Sequence, residues 1–201
     1  MVSSLTSVLL VGLILGIKHS IEPDHVIAVS TVASDTKKWW RSSLAGVYWG
    51  IGHTATLFVV GMMVIALKGT IPEGWSLWME LIVGVMLIYL GCMSILTSRR
   101  EKNGEREKRP FLKSAVIGSI HGLAGSGALV LLTMSAVDGI LEGALYIAVF
   151  GLGTVVGMLF FTTVIAIPFL LSNRKSIHYN LTRFTGLISV LFGVYYMYSV
   201  W

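Results

Sequence analysis

Apolar residues fall into six long blocks along the chain, and short polar stretches separate the blocks. Each block has about 20 to 30 residues, which is enough for an α-helix to cross the apolar core of a bilayer. A membrane-spanning β-strand would alternate apolar and polar positions with a period of two, and the blocks do not. The pattern therefore predicts an all-α integral membrane protein with six transmembrane helices. These helices are predicted at residues 5–33, 43–67, 77–96, 114–137, 141–171 and 181–200.

Composition favours a membrane protein over a soluble one. Hydrophobic residues make up 55% of the chain and charged residues 12%, whereas a soluble domain carries about 25% charged residues. This excludes a soluble globular enzyme, a disordered chain and a DNA-binding domain. The single cysteine, Cys92, lies inside an apolar block, so we expect no disulfide framework, no thiolate metal cluster and no dithiol carrier. The sequence also lacks the phosphate-binding loop of common ATPases.

The basic residues accumulate in every second loop between the apolar blocks. Of the 15 Lys and Arg residues, thirteen lie in or beside the loops after the first, third and fifth blocks, and Lys18 lies within the first block. The one that remains, Lys68, lies in a loop on the opposite side. Basic residues mark the cytoplasmic loops of membrane proteins. We therefore predict several crossings of the cytoplasmic (plasma) membrane, with both termini outside.

The two halves of the chain resemble each other weakly. His19 and His121 stand 102 residues apart in similar contexts, and the stretches 50–58 and 151–160 match at an offset of 101. A unit of three crossings ends on the opposite side of the membrane, so two such units have inverted topologies, as in many secondary transporters. The pattern predicts a 3+3 inverted repeat. Its parts are a three-helix repeat at 1–97, a basic cytoplasmic linker at 98–113 and a second three-helix repeat at 114–201.

The first apolar block contains a cluster of polar and ionisable residues. Ionisable side chains within a membrane are energetically expensive, so they usually face a cavity, a partner or an ion. Two interpretations stay open: the polar groups of an interrupted helix satisfy one another, or they bind a cation. The cluster consists of Lys18, His19, Glu22, Pro23, Asp24 and His25.

Pro23 predicts that the first helix is broken within this cluster. Proline has no backbone N–H, and its ring crowds the carbonyl group four residues earlier, which belongs to His19. In a straight helix, His19 and His25 would point about 120° apart and could not share a small ion. A break would let His19, Asp24 and His25 converge. It would also free backbone carbonyl groups, for which a bound cation could be a partner.

Two more histidines lie inside apolar blocks. His53 has small neighbours and is interpreted as a metal ligand or as a packing histidine bonded to a backbone carbonyl group. His121 begins the glycine-rich stretch 121–127, which predicts a second loosened helix; it is interpreted as a secondary ligand, a relay group or a structural histidine. Glu22 is interpreted as a ligand, a proton acceptor or the partner of Lys18.

Three polar residues outside these groups are interpreted as incidental. His178 lies in the predicted basic cytoplasmic loop at 172–180. Asp138 and Glu142 flank a predicted external turn, where solvated carboxylates are more common than carboxylates that attract cations. None of the three is therefore assigned to the site.

The candidate ligands combine imidazole groups with a carboxylate and include no thiolate. Such a set suits Ni²⁺, Co²⁺ or Zn²⁺ better than Mg²⁺, Ca²⁺ or Cu⁺. Affinity alone does not choose among them, because the Irving–Williams order also favours copper and zinc. Imidazole binds a metal in its neutral form, so low pH is expected to weaken binding.

The residues His19-x4-Asp24-His25 resemble the signature of the nickel/cobalt transporter family. The stretch 52–54 is similar to that family's next conserved helix, and the stretch 121–127 is similar to its short UreH-like branch, found among urease accessory genes. The resemblance covers most of the membrane portion. It implies a divalent nickel or cobalt permease with His19, Asp24, His25 and His53 in the permeation site. Unlike the longer members, this chain has six segments rather than eight and no long central loop.

The residues and the resemblance together predict a secondary permease that moves Ni²⁺ or Co²⁺ across the cytoplasmic membrane, in the direction of uptake. The metal ion is the substrate, and no cofactor and no nucleic acid partner are expected. Three alternatives stay open: an exporter on the same scaffold, an intramembrane metalloenzyme, and an accessory that delivers metal to a soluble metallochaperone or urease accessory protein. A homodimer also stays open. The predicted metal ligands are His19, Asp24, His25 and His53, with His121 and Glu22 as further candidates.

Overall fold

The computed structural model describes residues 2–34, 38–67, 73–101, 110–137, 139–172 and 175–201. Within these ranges every regular element is an α-helix and no strand occurs, which confirms the predicted all-α class. Half of the basic linker at 98–113, residues 102–109, lies outside the described residues, as does Asp138. The helices are α1 (Val2–His19), α2 (Pro23–Ser34), α3 (Trp39–Ala66), α4 (Glu73–Glu101), α5 (Pro110–Ala136), α6 (Ile140–Leu171) and α7 (Lys175–Val200).

Several of these helices are long and apolar enough to cross a membrane. Three described segments qualify by themselves: Trp39–Ala66, Leu77–Leu96 and Ile140–Leu171. The pair Leu5–His19 and Pro23–Ser34 qualifies when taken together and is bent by 56° at its break. By length and composition, the described part of the chain therefore contains three helices able to span a membrane, or four candidate spans if the bent pair counts as one.

The break between α1 and α2 occupies residues 20–22, just before Pro23. Proline suits the first position of a helix, because the N–H that it lacks would have no partner there. The carbonyl groups expected to be freed by the break are partnered. The His19 carbonyl accepts a hydrogen bond from the Glu22 N–H at 3.1 Å, and the Lys18 carbonyl accepts one from the Ile21 N–H at 3.1 Å. These two oxygens therefore have protein partners and do not need a cation for that purpose.

The glycine-rich stretch 121–127 does not loosen α5. The helix is continuous from Pro110 to Ala136, so the expectation of a second loosened helix is wrong. The physical reason is that glycine keeps its backbone N–H and has no ring to clash with the preceding turn. It weakens a helix by only about 1 kcal/mol relative to alanine, whereas proline costs about 3 kcal/mol.

His178 does not lie in a loop. Helix α7 begins at Lys175, six residues before the predicted helix, and the His178 side chain is buried. Its Nδ1–H donates a hydrogen bond to the Phe169 carbonyl group near the end of α6, at 3.3 Å. The interpretation of His178 as an incidental loop residue is therefore wrong: it ties the end of one helix to the start of the next.

Glycines bring the backbones of α4 and α7 close together, and their contacts are reciprocal. A Cβ atom added to Gly84 would lie 3.3 Å from the Gly193 carbonyl oxygen, and one added to Gly193 would lie 2.8 Å from the Gly84 carbonyl oxygen. Small residues allow such close helix packing in membrane proteins. The Ser189 hydroxyl also donates to the Leu87 carbonyl group at 2.8 Å, between residues 102 positions apart.

The pairs α1–α6 and α3–α5 repeat each other's contacts. In each pair, a glycine of one helix packs against the backbone of the other helix. Each residue in these contacts has a counterpart in the other pair, 101 or 102 positions away in the sequence. The matched contacts are Gly16 with Phe150 and Gly118 with Trp49, then Gly153 with Leu13 and Gly52 with Ala115.

Buried apolar side chains form two clusters inside the bundle. One is centred on Trp49 and Leu87, and the other on Leu57 and Phe150. Many large apolar side chains instead lie exposed on the outer helix faces, Tyr198 among them. A protein in water rarely exposes so much apolar surface, so these faces suit a lipid environment.

Candidate metal centre

Four histidines from four helices meet in the interior. His19 ends α1, His25 lies in the first turn of α2, His53 lies in α3 and His121 in α5. The His25 ring centroid lies 4.5 Å from that of His19, 5.0 Å from that of His53 and 4.2 Å from that of His121. His25, His53 and His121 are buried, and the His19 side chain is 14% exposed.

The break before Pro23 makes this meeting possible. Without it, His25 would project from the far side of a continuous helix, about 120° around the axis from His19. The 56° bend between α1 and α2 instead leaves the two rings edge to face.

Asp24 connects two of the histidines. Its Oδ1 accepts a hydrogen bond from the Nδ1–H of His25 at 3.1 Å, and its Oδ2 accepts one from the Nε2–H of His121 at 2.8 Å. A neutral imidazole carries one N–H, so its other nitrogen holds a lone pair. These lone-pair nitrogens, Nε2 of His25 and Nδ1 of His121, are buried and have no hydrogen-bond partner in the structure.

Glu22 orients His19 in a similar way. The Nδ1–H of His19 donates to Oε1 of Glu22 at 3.0 Å, and the Glu22 side chain is 51% exposed. The His19 Nε2 then carries a lone pair, and it lies 3.1 Å from Nε2 of His53. Two nitrogens bound to one metal at about 2.1 Å lie roughly 3.0 to 3.4 Å apart for angles between 90° and tetrahedral. The spacing therefore fits a shared metal ion as well as a single hydrogen bond.

The ligand atoms form two overlapping triplets. In the first triplet, His19, His25 and His53 each offer an atom within 4.8 Å of the other two. In the second triplet, Asp24, His25 and His121 do the same. The structure thus brings together all four predicted ligands and the two further candidates, but it separates Asp24 from the triplet that contains His19 and His53.

Two aromatic residues that the sequence did not single out border the histidines. The ring of Trp49 is buried, 5.8 Å from that of His121 and 6.5 Å from that of His25. The ring of Phe150 lies 5.4 Å from that of His19. Trp49 and Phe150 stand 101 positions apart, the same offset that relates the two halves, and this offset could have identified them.

We expect Glu22→Gln to weaken Ni²⁺ binding by about tenfold, because a carboxylate that accepts the second N–H of a metal-bound histidine raises its basicity. The amide oxygen can still accept the hydrogen bond from His19, so the change removes mainly the charge. Calorimetric titration of the purified protein measures the affinity. Glu142→Gln, at the start of α6, removes the same charge elsewhere and serves as the control. Equal affinities for Glu22→Gln and the unchanged chain would refute the orienting role.

Comparison with known proteins places the chain in a family. Residues 78–195 match the family model described as "Cytochrome C biogenesis protein transmembrane region". Urease accessory protein UreH of Bacillus sp. (strain TB-90) is 51% identical, over 98% of this chain and 92% of that protein. No solved structure matches.

Two plant proteins are more distant relatives. Chloroplast proteins FOR GROWTH AND FERTILITY 1 and 2 of Arabidopsis thaliana are 27% and 26% identical over 73% of this chain. The match covers 46% and 44% of their lengths, so each of them is about twice as long as the shared region.

The family model matches more than half of the chain, and UreH matches nearly all of it. Cys92 is the single cysteine and lies exposed, so the matched region cannot form an internal dithiol pair. The chain belongs to the family of the cytochrome C biogenesis protein transmembrane region and, more narrowly, to the UreH-like membrane proteins.

Proposed function

We propose that this protein is a secondary permease that takes up Ni²⁺ or Co²⁺ across the cytoplasmic membrane. The observation that carries the proposal is the meeting of His19, His25, His53 and His121 inside a bundle with an apolar outer surface, with Asp24 bonded to two of them. Buried polar groups in a membrane are costly unless they serve a partner or an ion. Three of these histidines each leave a buried nitrogen without a hydrogen-bond partner in the structure, so the protein alone does not satisfy them.

The proposed architecture is six spans in a 3+3 inverted repeat, with α1 and α2 forming one broken span. Its support is the pair of matched packings, α1 with α6 and α5 with α3, at an offset of 101 or 102 residues. Helices α5 and α7 have 27 and 26 residues, enough for a crossing. With the basic loops in the cytoplasm, both termini would lie outside in this arrangement.

The ligand chemistry supports a borderline divalent metal. A triplet of three imidazoles, or of two imidazoles and a carboxylate, fits Ni²⁺, Co²⁺ and Zn²⁺. Nickel is favoured among these by the resemblance of His19-x4-Asp24-His25 to the nickel/cobalt transporter signature, and the similarity to a protein named urease accessory protein is consistent with it. We therefore propose His19, Asp24, His25, His53 and His121 as ligands and Glu22 as the residue that orients His19.

Uptake needs no nucleotide in this scheme. The membrane potential favours inward movement of a positive charge by about 2.3 kcal/mol per 100 mV, and roughly twice that for a divalent cation. A partly dehydrated ion would reach the histidines past the exposed Glu22 carboxylate. The buried ligands then replace the water that the ion loses.

The test is metal flux into proteoliposomes that contain a metal-sensitive dye. We expect saturable flux of Ni²⁺ or Co²⁺ at least about tenfold faster than that of Mn²⁺, which prefers oxygen ligands. Liposomes without protein and liposomes with Glu142→Gln give the background and the matched control. If the protein produced no flux of Ni²⁺ and none of Co²⁺ above that of empty liposomes, the proposed permease function would be refuted.

The name of the Bacillus relative favours a second candidate, an accessory that delivers metal to a soluble partner. Such a protein would bind Ni²⁺ at the same histidines but move no ion by itself. The flux assay separates the two functions, because delivery alone leaves the dye unchanged. For a permease, metal accumulation in cells decides the direction: expression raises cellular nickel for uptake and lowers it for export.

A further inference from the structure

We propose that the second triplet, Asp24, His25 and His121, is a separate metal position, and that the ion passes between the two triplets by way of His25. This inference rests on the proposed function and adds an intermediate stop to it. His25 belongs to both triplets, and it is buried at their centre. His25 therefore lies between the two positions and turns one ring nitrogen toward each.

Each triplet has one member that reaches toward the surface. The side chain of His19 is 14% exposed in the first triplet, and that of Asp24 is 15% exposed in the second. The side chains of the other members, His25, His53 and His121, are buried. In this proposal the ion exchanges with the surroundings at His19 and at Asp24, and the buried His25 lies between these two partly exposed residues.

The two triplets use His25 through different nitrogens. The Nε2 of His25 has no partner and suits the first position, whereas Nδ1 faces Asp24 and suits the second. Occupation of the second position requires the proton on Nδ1 of His25 and that on Nε2 of His121 to move to the unpartnered nitrogen of the same ring. Both rings stay neutral, and no proton is gained or lost overall.

The two positions are occupied one at a time. Both require His25, and two divalent cations this close together would repel each other strongly in a poorly screened interior. Binding of a single ion per chain is therefore expected, with the ion distributed between a site of three imidazoles and a site of two imidazoles and a carboxylate.

A purely structural role for His121 is the competing explanation, since its Nε2–H also holds Asp24 in place. His121→Gln separates the two roles. The glutamine amide can donate a hydrogen bond to Asp24 from a similar position, but it is a poor ligand for Ni²⁺.

The experiment compares His121→Gln, His53→Gln and His25→Gln in purified protein and in proteoliposomes. Titration with Ni²⁺ gives the stoichiometry, X-ray absorption counts the bound imidazoles, and the dye assay gives the flux. For His121→Gln we expect one bound ion with three imidazoles and a flux at least about tenfold lower. For His53→Gln we expect one bound ion with two imidazoles and a similar loss of flux.

Native flux in His121→Gln would overturn the second position, because it would show that a hydrogen bond to Asp24 is all that His121 provides. Loss of all Ni²⁺ binding in His53→Gln would overturn it as well, because no second position would then hold the ion. Native flux in His25→Gln would instead refute the proposed permease site itself. Size-exclusion elution and circular dichroism check that each variant is a single folded species with unchanged helical content. Glu142→Gln again serves as the matched control.

Discussion

Replacing His25 with alanine is expected to lower Ni²⁺ flux and Ni²⁺ affinity by at least about 100-fold, more than any other single substitution in the cluster. His25 is the residue that the two ligand triplets share, and its side chain is 1% exposed. Loss of a residue that only orients a ligand typically costs 10- to 100-fold in metal affinity, so loss of the shared ligand should exceed that range. Flux into proteoliposomes and titration of purified protein measure the two effects.

The matched control for His25→Ala is His178→Ala. His178 is also a buried helical histidine with a hydrogen bond, but it contacts the Phe169 carbonyl group between α6 and α7 rather than the cluster. We expect His178→Ala to lower thermal stability while Ni²⁺ affinity per folded molecule stays native. Equal losses of affinity in both variants would mean that the effect of His25→Ala is one of folding, and the ligand assignment would then fail.

The second large effect is expected from Gly52→Leu, on stability. Gly52 precedes His53, and a Cβ atom at this position would collide with the Ala115 carbonyl oxygen and lie 2.9 Å from the Ser119 hydroxyl oxygen. The obstacle is the backbone of α5, which cannot rotate away as a side chain can. Overpacking typically costs 1–3 kcal/mol, so we expect a loss of about 3 kcal/mol or more here. Thermal unfolding in detergent measures it.

Gly74→Leu is the control for this substitution. Gly74 lies in the first turn of α4, and a Cβ atom there would meet nothing within 4 Å. Leucine also favours the helical state over glycine by roughly 0.5 to 1 kcal/mol. The melting temperature of Gly74→Leu should therefore stay unchanged or rise slightly, and a large drop in both variants would argue against the close approach of α3 and α5.

The location of the helix break was predictable because its cause is local. Pro23 acts on the backbone within one turn, through its missing N–H and its ring. The sequence therefore predicted that a helix cannot pass unchanged through this stretch. It did not predict that Pro23 would begin a new helix, or that the N–H groups of Ile21 and Glu22 would satisfy the preceding carbonyl groups.

The two wrong predictions, a loosened helix in α5 and a loop at His178 in α7, have a different origin. The glycines of 121–127 weaken helix propensity, but the close packing of Gly118 against Trp49 and of Gly122 against the His53 carbonyl group holds α5 as a helix. His178 looked like a loop residue because basic residues surround it, and only its contact with Phe169 shows that α7 has already begun. Tertiary packing overrides a weak local preference in both cases.

The sequence by itself determined the membrane class, the helical blocks, the interruption at Pro23 and the presence of the histidines in apolar surroundings, because each of these depends on residues within a few turns of one another. Only the tertiary structure decided how the ligands are grouped. The hydrogen bond between Asp24 and His121 joins residues 97 positions apart, and the contact between His19 and His53 joins residues 34 positions apart. These pairings join α2 to α5 and α1 to α3, so they depend on how whole helices pack, and a linear pattern does not specify which side chains then meet.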